Sequence, residues 1–225
     1  MMRILQVSTT DTGGGARRVA QMLFAAYAEK ELVSYLAVGQ KTSNQDGIIQ
    51  IPNNRMRHPW PRLFYTFENW AIQKNFRIVP RLARWLAYLG ELDRFRAKLA
   101  GLEDFNFPST VGLLGLPPQP PDILHIHNMH GSYFDLRELI NFSHQLPTVL
   151  TLHDAWLFSG HCAHSLNCER WMSGCGHCLR QKEFSGAWFY LVEGFRNNPF
   201  WIIRFLKHVV VYPIRKKEGI FYQSP

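Results

Sequence analysis

The sequence predicts an α/β protein built on a doubly wound, parallel sheet. Three observations predict it. The chain opens on a short apolar run, "RILQVS" at residues 3–8, followed by a glycine triplet and a segment with apolar residues at helical spacing. Further short apolar runs, "VSYLAVGQ", "DILHIHN" and "PTVLTLHD", recur along the chain with helical segments between some of them. Two of these runs end in clusters of His, Asn and Asp. Ligands of open α/β sheets sit outside the carboxyl ends of the strands, so polar strand tips are where a site is expected.

Each element follows in order. Residues 3–8 are a buried strand. After "TTDTGGG", the residues Val19, Met22, Leu23, Ala26 and Tyr27 trace one face of a helix, and 33–40 is a second strand. Residues 54–107 differ in composition, rich in aromatic and basic side chains, and read as one or two helices inserted between strands. Leu82, Leu86 and Leu89 form an apolar stripe there, with Arg81, Arg84, Arg94 and Lys98 mostly off it. Two readings stay open: a packed helical hairpin with a solvated basic face, or a surface that meets a membrane or a lipid-linked acceptor. Residues 108–121 are proline-rich and form a loop. Strand "DILHIHN", helical segment "YFDLRELINFSHQ" and strand "PTVLTLHD" follow, then a Cys-rich loop at 159–178 and an aromatic, basic tail that is helical in part.

Composition bounds the partners. With 225 residues the chain holds one large domain or two small ones and buries a real core. The net charge is +8, with much of the excess in Arg55–Lys98 and Arg204–Lys217. That balance suits a nucleic acid, an anionic membrane surface or a phosphorylated substrate. No apolar run approaches the ~20 residues of a membrane-spanning helix, and "MMRILQVS" does not read as a signal peptide. A cytoplasmic, reducing location is the default, in which clustered cysteines are more often metal ligands or redox groups than disulfides.

Four constellations carry chemistry. Gly13, Gly14 and Gly15 let backbone N–H groups approach an anion, and the next helix aims its positive end at the same place, with Arg17 and Arg18 adding charge. A phosphate is the natural guest; a turn without a ligand is the alternative. In "HIHNMHG", His125 and His127 project to one face of a strand, beside Asn128, and suggest polar recognition or a metal. His153 and Asp154 end the strand "PTVLTLHD"; His153 can hydrogen-bond a hydroxyl, polarise a leaving group or act as a base. Neighbours on one strand point to opposite faces, which argues against Asp154 orienting His153. Cys162, Cys168, Cys175 and Cys178 have the spacing C-x5-C-x6-C-x2-C, whose last pair fits a structural zinc; disulfides or free thiols are the alternatives.

The stretches "TTDTGGGARR", "GLEDFNFP", "PDILHIHNMHGSYFDLREL" and "PTVLTLHDAWLFSGHCAHSLNCERWMSGCGHC" together resemble the N-terminal half of family-four glycosyltransferases of the GT-B fold, of the colanic acid and exopolysaccharide type. The resemblance covers residues 1 to about 178 and is strongest from Pro121 to Cys178. It implies a Rossmann-like, acceptor-binding domain over 1–225, facing a second domain that binds a nucleotide-sugar donor through an E-x7-E type motif. That donor domain is absent from the 225 residues, so this chain alone is expected to be inactive, with a separate C-terminal donor domain as a candidate partner. The resemblance further implies retaining, metal-independent sugar transfer, with no catalytic metal expected. It gives His153 a catalytic contact to the donor sugar, the loop Gly13–Gly15 and Arg17 and Arg18 the donor diphosphate, and His125, His127, Asn128 and Asp154 a place in the substrate wall. The implied partners are a nucleotide-sugar and a glycan or lipid-linked acceptor, without nucleic acid, and the implied location is the cytoplasm, with peripheral contact at the inner face of the plasma membrane. Two other classes stay open: a zinc-containing, basic nucleic-acid-binding module, and a small self-sufficient α/β enzyme using His153 and the HxHN residues.

Overall fold

A computed structural model of the chain describes residues 1–99, 104–154, 156, 209–213 and 222–223. Strands β1 (Arg3–Thr10), β2 (Val33–Gln40), β3 (Ile48–Gln50), β4 (Ile123–Ile126), β5 (Thr148–Leu152), β6 (Val209–Pro213) and β7 (Tyr222–Gln223) form one sheet. Their order is β3-β2-β1-β4-β5-β6-β7. Every neighbouring pair from β3 to β6 is parallel, and β7 closes the edge antiparallel. Helix α1 (Ala16–Glu29) joins β1 to β2, and α5 (Glu138–Gln145) joins β4 to β5. Helices α2 (Pro59–Gln73), α3 (Val79–Leu89) and α4 (Leu92–Leu99) lie between β3 and β4. This is the expected Rossmann-like, doubly wound sheet with a helical insertion; the Cys-rich loop, with Cys162, Cys168, Cys175 and Cys178, lies outside the described residues.

Strand β1 is the middle of the described fold. It is buried without interruption from Ile4 to Ser8, the pattern of a parallel strand covered on both faces. Its alternation sends Leu5 and Val7 to one face, where they join Leu124, Ile126, Leu150 and Leu152 of the neighbouring strands and Leu139 and Phe142 of α5 in a single core. Leu36, Val38 and Ile48 face the other way and pack with Ala20 and Phe24 of α1. Full burial of one such side chain stabilises the fold by about 1.5–3 kcal/mol. At the amino ends of the strands, Arg3 grips Asp122 with its backbone N–H at 2.8 Å and its Nε at 3.0 Å, tying the start of β1 to the start of β4.

From β1 the chain winds outward through β2 to β3, then returns across β1 to β4. The direction of winding therefore reverses between β1 and β4, and the loops leaving those two strands diverge there and open a crevice.

The helical insertion corrects one expectation. Leu82 and Leu89, taken as the inward stripe of a helix, are 59% and 62% exposed. The positions α3 buries are Pro80, Ala83, Ala87 and Tyr88. Arg94 is not a solvated cation either, since it is buried against Glu91 and Asp104; Arg84 pairs with the buried Glu68 while its own side chain stays half exposed. Arg57 also reaches Glu91 and donates to the Asn106 carbonyl at 2.6 Å. The resulting cluster of two guanidiniums and two carboxylates balances its own charge. Tyr65 and Phe107 supply ring faces 5.2–5.8 Å from both guanidiniums, and so the hairpin is fastened to the segment that leads into β4.

Gly39 shows how tightly β2 meets the loop after β4. A Cβ placed there would stand 2.5 Å from the Cβ of the buried Tyr133. Gly39→Ala is expected to lower stability by about 1–3 kcal/mol in urea unfolding. Gly115→Ala, where no atom lies within 4 Å of the added carbon, should change it by less than about 0.5 kcal/mol.

Candidate functional site

The glycine turn leaves the carboxyl end of β1 and is held from beneath. Asp11 is fully buried and accepts from Thr42 N at 2.7 Å, Thr42 Oγ1 at 2.8 Å and Ser43 N at 2.7 Å. Burial alone would raise its pKa, but the hydrogen bonds from Ser43 and Thr42 win and hold it at about 2. The carboxylate thus clamps the turn to the loop after β2. Above it, Gly13 and Gly15 adopt φ of 118° and 64°, the left-handed region that glycine permits. A Cβ on Gly14 or Gly15 would meet nothing within 4 Å, so the turn faces open space. Gly15 caps α1 without a side-chain hydrogen bond, and no acidic residue sits in the first turn. The positive end of α1 therefore opens onto the crevice, with Arg17 folded back over Gly13 and Arg18 exposed beside it. Among the described residues neither arginine is in an ion pair.

Across the switch point lies a row of imidazoles. Alternation on β4 does put His125 and His127 on one face, with ring centroids 4.3 Å apart, and His153 continues the row 5.3 Å from His127. His125 is held by Tyr27 of α1 through Nδ1 at 3.0 Å and by Thr151 of β5 through Nε2 at 2.8 Å. His127 Nδ1 meets His153 Nε2 at 3.1 Å. The Gln6 carboxamide satisfies both its ends when its nitrogen donates to Ala20 O at 3.2 Å and His127 Nε2 at 3.0 Å while its oxygen accepts from Phe24 N at 3.0 Å. His127 Nε2 is then an acceptor, so its proton sits on Nδ1 and is donated to His153 Nε2. His153 in turn keeps its proton on Nδ1. Gln6, deep in β1, thereby sets the proton order of a relay that ends at the tip of β5.

The row is kept uncharged. Burial lowers His125 to about 4, with the neighbouring His153 a smaller cause. Burial lowers His127 to about 3, helped by His125 and His153. His153, half-buried, is also lowered by burial, partly offset by the charge of Asp154. With both nitrogens taken by protein groups, His125 and His127 stand behind the surface that a ligand can touch rather than on it. Asp154 turns to His130 instead, accepting at 2.7 Å, and also takes the Trp156 N–H at 3.0 Å. Asn128 gives its backbone carbonyl to the Tyr133 hydroxyl.

These groups share one edge of the sheet. His153 follows β5 and the glycine turn follows β1, with β4 between them, so the two strands stand about 10 Å apart. Next to the crevice, on the β2–β3 side, is a cavity of about 1010 Å³ that pattern reading did not anticipate. Thr9, Gly131 and Ser132 form its boundary with the switch point; Gln40, Gln50, Asn54, Asn69 and Gln73 line it with carboxamides, and Tyr65 and Tyr88 with rings. Such donor–acceptor pairs over aromatic surface suit a polyhydroxylated ligand. Its lining comes from β1, β2, β3, the turn that follows β3, α2, α3, α4, the segment at 104–107 and the loop after β4, so no local motif marks it. The carboxamides of "NN" at 53–54 and the Asn69 and Gln73 pair one turn apart on α2 were the only trace in the sequence.

The chain is 26% identical over 184 residues to a protein of Escherichia coli (strain K12) named "Putative colanic acid biosynthesis glycosyl transferase WcaC". The similarity extends over part of each chain. It covers 79% of this chain and only 39% of the relative, so the chain spans well under half of that protein's length. No family model matches the sequence, and no solved structure matches it.

The neutral row makes a testable link to pH. An unfolded His titrates near 6.5, whereas folded His125 and His127 titrate at about 4 and about 3. Below 6.5 the unfolded chain binds protons that the folded chain refuses, so stability is full above that pH and falls as the pH drops toward the folded values. Urea unfolding from pH 7 to pH 4 should show the loss, and His127→Gln should flatten its slope by about 1.4 kcal/mol per pH unit.

Proposed function

We propose that this chain forms the acceptor side of a glycosyltransferase that moves a sugar from a nucleotide-sugar to a glycan acceptor in exopolysaccharide or other cell-surface glycan synthesis. The observation that carries the reading is the placement of three unlike groups along one edge of the sheet. An open glycine turn with an uncapped helix end lies at β1, a protonated imidazole nitrogen at the tip of β5, and a carboxamide-lined cavity beside them. The Escherichia coli relative supports the same class by name.

Each part has a chemical task in this reading. Sugar transfer from a nucleotide-sugar breaks the bond between the anomeric carbon and the diphosphate, and negative charge grows on the leaving oxygen. The N–H groups at the head of α1, with Arg17 and Arg18, answer that charge with dipoles already in place. His153, whose Nε2 is occupied by His127, offers Nδ1–H as a donor to a sugar hydroxyl. In that state it acts as a positioned hydrogen-bond donor; it has no free lone pair to serve as a base. The acceptor glycan fills the cavity, with Asn69 and Gln73 of α2 and Gln50 of β3 as its polar contacts. Retention at the anomeric carbon and a hexosyl donor follow from the family resemblance.

Titration calorimetry with a panel of cell-surface oligosaccharides tests the acceptor half. Binding is expected, weakened about tenfold or more by Asn69→Ala and little changed by His153→Ala. In a transfer assay with labelled nucleotide-sugar and the protein carrying its donor-binding half, His153→Ala should lower kcat about 100-fold at unchanged acceptor affinity. Absence of glycan binding, or a His153→Ala protein of full activity, would overturn the assignment.

A further inference from the structure

The cavity beside the switch point carries a charge of its own. Lys41, Arg55, Arg57, Arg84 and Arg94 line it, against two carboxylates, Glu68 and Asp104. Both carboxylates are already committed, Glu68 to Arg84 and Asp104 to Arg94. Arg57 and Arg94 also share the Glu91 carboxylate, which lies outside the lining. Three arginines thus meet three carboxylates and cancel. Lys41 and Arg55 remain, and among the described residues neither is in an ion pair. Asp11, whose charge is spent on Thr42 and Ser43, and Asp46, on the loop between β2 and β3, do not line the cavity.

The two cations are set among the groups that suit a sugar. Lys41 follows β2 and is half-buried, and its Nζ donates to the Ile48 carbonyl of β3 at 2.8 Å. That bond holds the ammonium in place and leaves two of its three N–H groups for a ligand. Arg55 stands exposed in the turn after β3, and its guanidinium makes no hydrogen bond among the described residues. Gln40, Gln50 and Asn54 line the cavity from the same stretch of chain. A carboxamide offers one donor group and one acceptor, the pairing that a sugar hydroxyl needs. An ammonium or a guanidinium offers donors alone, and these are strongest on an anionic oxygen. The cations also line a cavity of about 1010 Å³ rather than a stripe across the surface, which is the scale of a small-ligand site and not of a nucleic-acid track.

We propose that the cavity selects an acidic glycan: Lys41 and Arg55 take a carboxylate or phosphate carried on a sugar, while the carboxamides take its neutral hydroxyls. The inference rests on the acceptor reading of the cavity and narrows it to one charge class. It also gives the loop after β2 and the turn after β3 a task in specificity, apart from the chemistry at the strand tips.

Titration calorimetry on the full chain tests it with matched ligands: uronate oligosaccharides, the same oligosaccharides after reduction of their carboxyl groups, and neutral oligosaccharides that carry one phosphate. Acidic ligands should bind at least about tenfold tighter than the reduced ones, and the tighter of the two acidic sets identifies the group that is read. Arg55→Glu should cost the acidic ligands at least about tenfold, with an unchanged unfolding midpoint showing that the fold is intact. Lys41→Gln with Arg55→Gln should bring the acidic ligands down to the affinity of their reduced counterparts. Equal binding of acidic and reduced ligands to the wild-type chain would sink the charge selection and leave the acceptor reading standing. Binding of neither would end both. Duplex DNA that binds as tightly as the acidic glycans, and is lost in the same variants, would assign the two cations to nucleic acid and refute the proposal.

Discussion

Parallel pairing forces every strand from β3 to β6 to deliver its following loop to the same edge of the sheet. The candidate chemistry of the chain depends on that constraint. The glycine turn after β1, the Asn128–Ser132 loop after β4 and His153 after β5 are far apart in sequence and become neighbours because their strands point the same way. The reversal of winding between β1 and β4 then separates the first loop from the second and leaves room between them. The opposite edge of the sheet is closed by the Arg3–Asp122 grip and carries no comparable polar cluster among the described residues.

Inside the sheet, the α1 face of β4 departs from ordinary core construction. Ile, Val and Leu fill the α5 face, whereas Gln6, His125, His127 and Thr151 are buried on the other. Each of these groups is costly to bury unless its hydrogen bonds are made. Here Tyr27, Thr151, Gln6 and His153 make them, and the low pKa values of His125 and His127 record a site that accepts imidazole only as a neutral ring. A satisfied polar network is rigid, because each proton has one place to go. That rigidity reaches His153 at the surface, whose ring orientation and tautomer are set by residues that no ligand touches.

The helical insertion applies the same economy in reverse. Its carboxylates Glu68, Glu91 and Asp104 are paired with Arg84, Arg57 and Arg94, whereas Arg62, Lys74, Arg77 and Arg81 and several large apolar side chains are left outside. Removing one member of such a buried cluster would strand the others without a counter-charge. The cluster therefore keeps the hairpin in one position over the cavity, so that α2 presents Asn69 and Gln73 inward and Leu63 and Trp70 outward at once.

Local pattern in the sequence was enough for the α/β class, for strands β1, β2, β4 and β5, for α1 and α5, and for the glycine turn, because each rests on short-range periodicity or on a backbone conformation that glycine favours. It was enough, too, for His125 and His127 sharing a face, since alternation in a strand is obligatory. It did not reach β3 or β7, whose few residues carry no period, nor β6 in the tail read as helical in part, nor the cavity, whose walls come from segments scattered between Thr9 and Ser132. Periodicity on α3 revealed a stripe but not which side of it met water; the tertiary structure turned Leu82 and Leu89 outward and buried Pro80, Ala83, Ala87 and Tyr88 of α3 instead. The partner of each polar group was likewise a matter of folding. Gln6 and His127 are 121 positions apart, and only the register that lays β1 beside β4 could decide that a glutamine near the start of the chain orders the protons at His153.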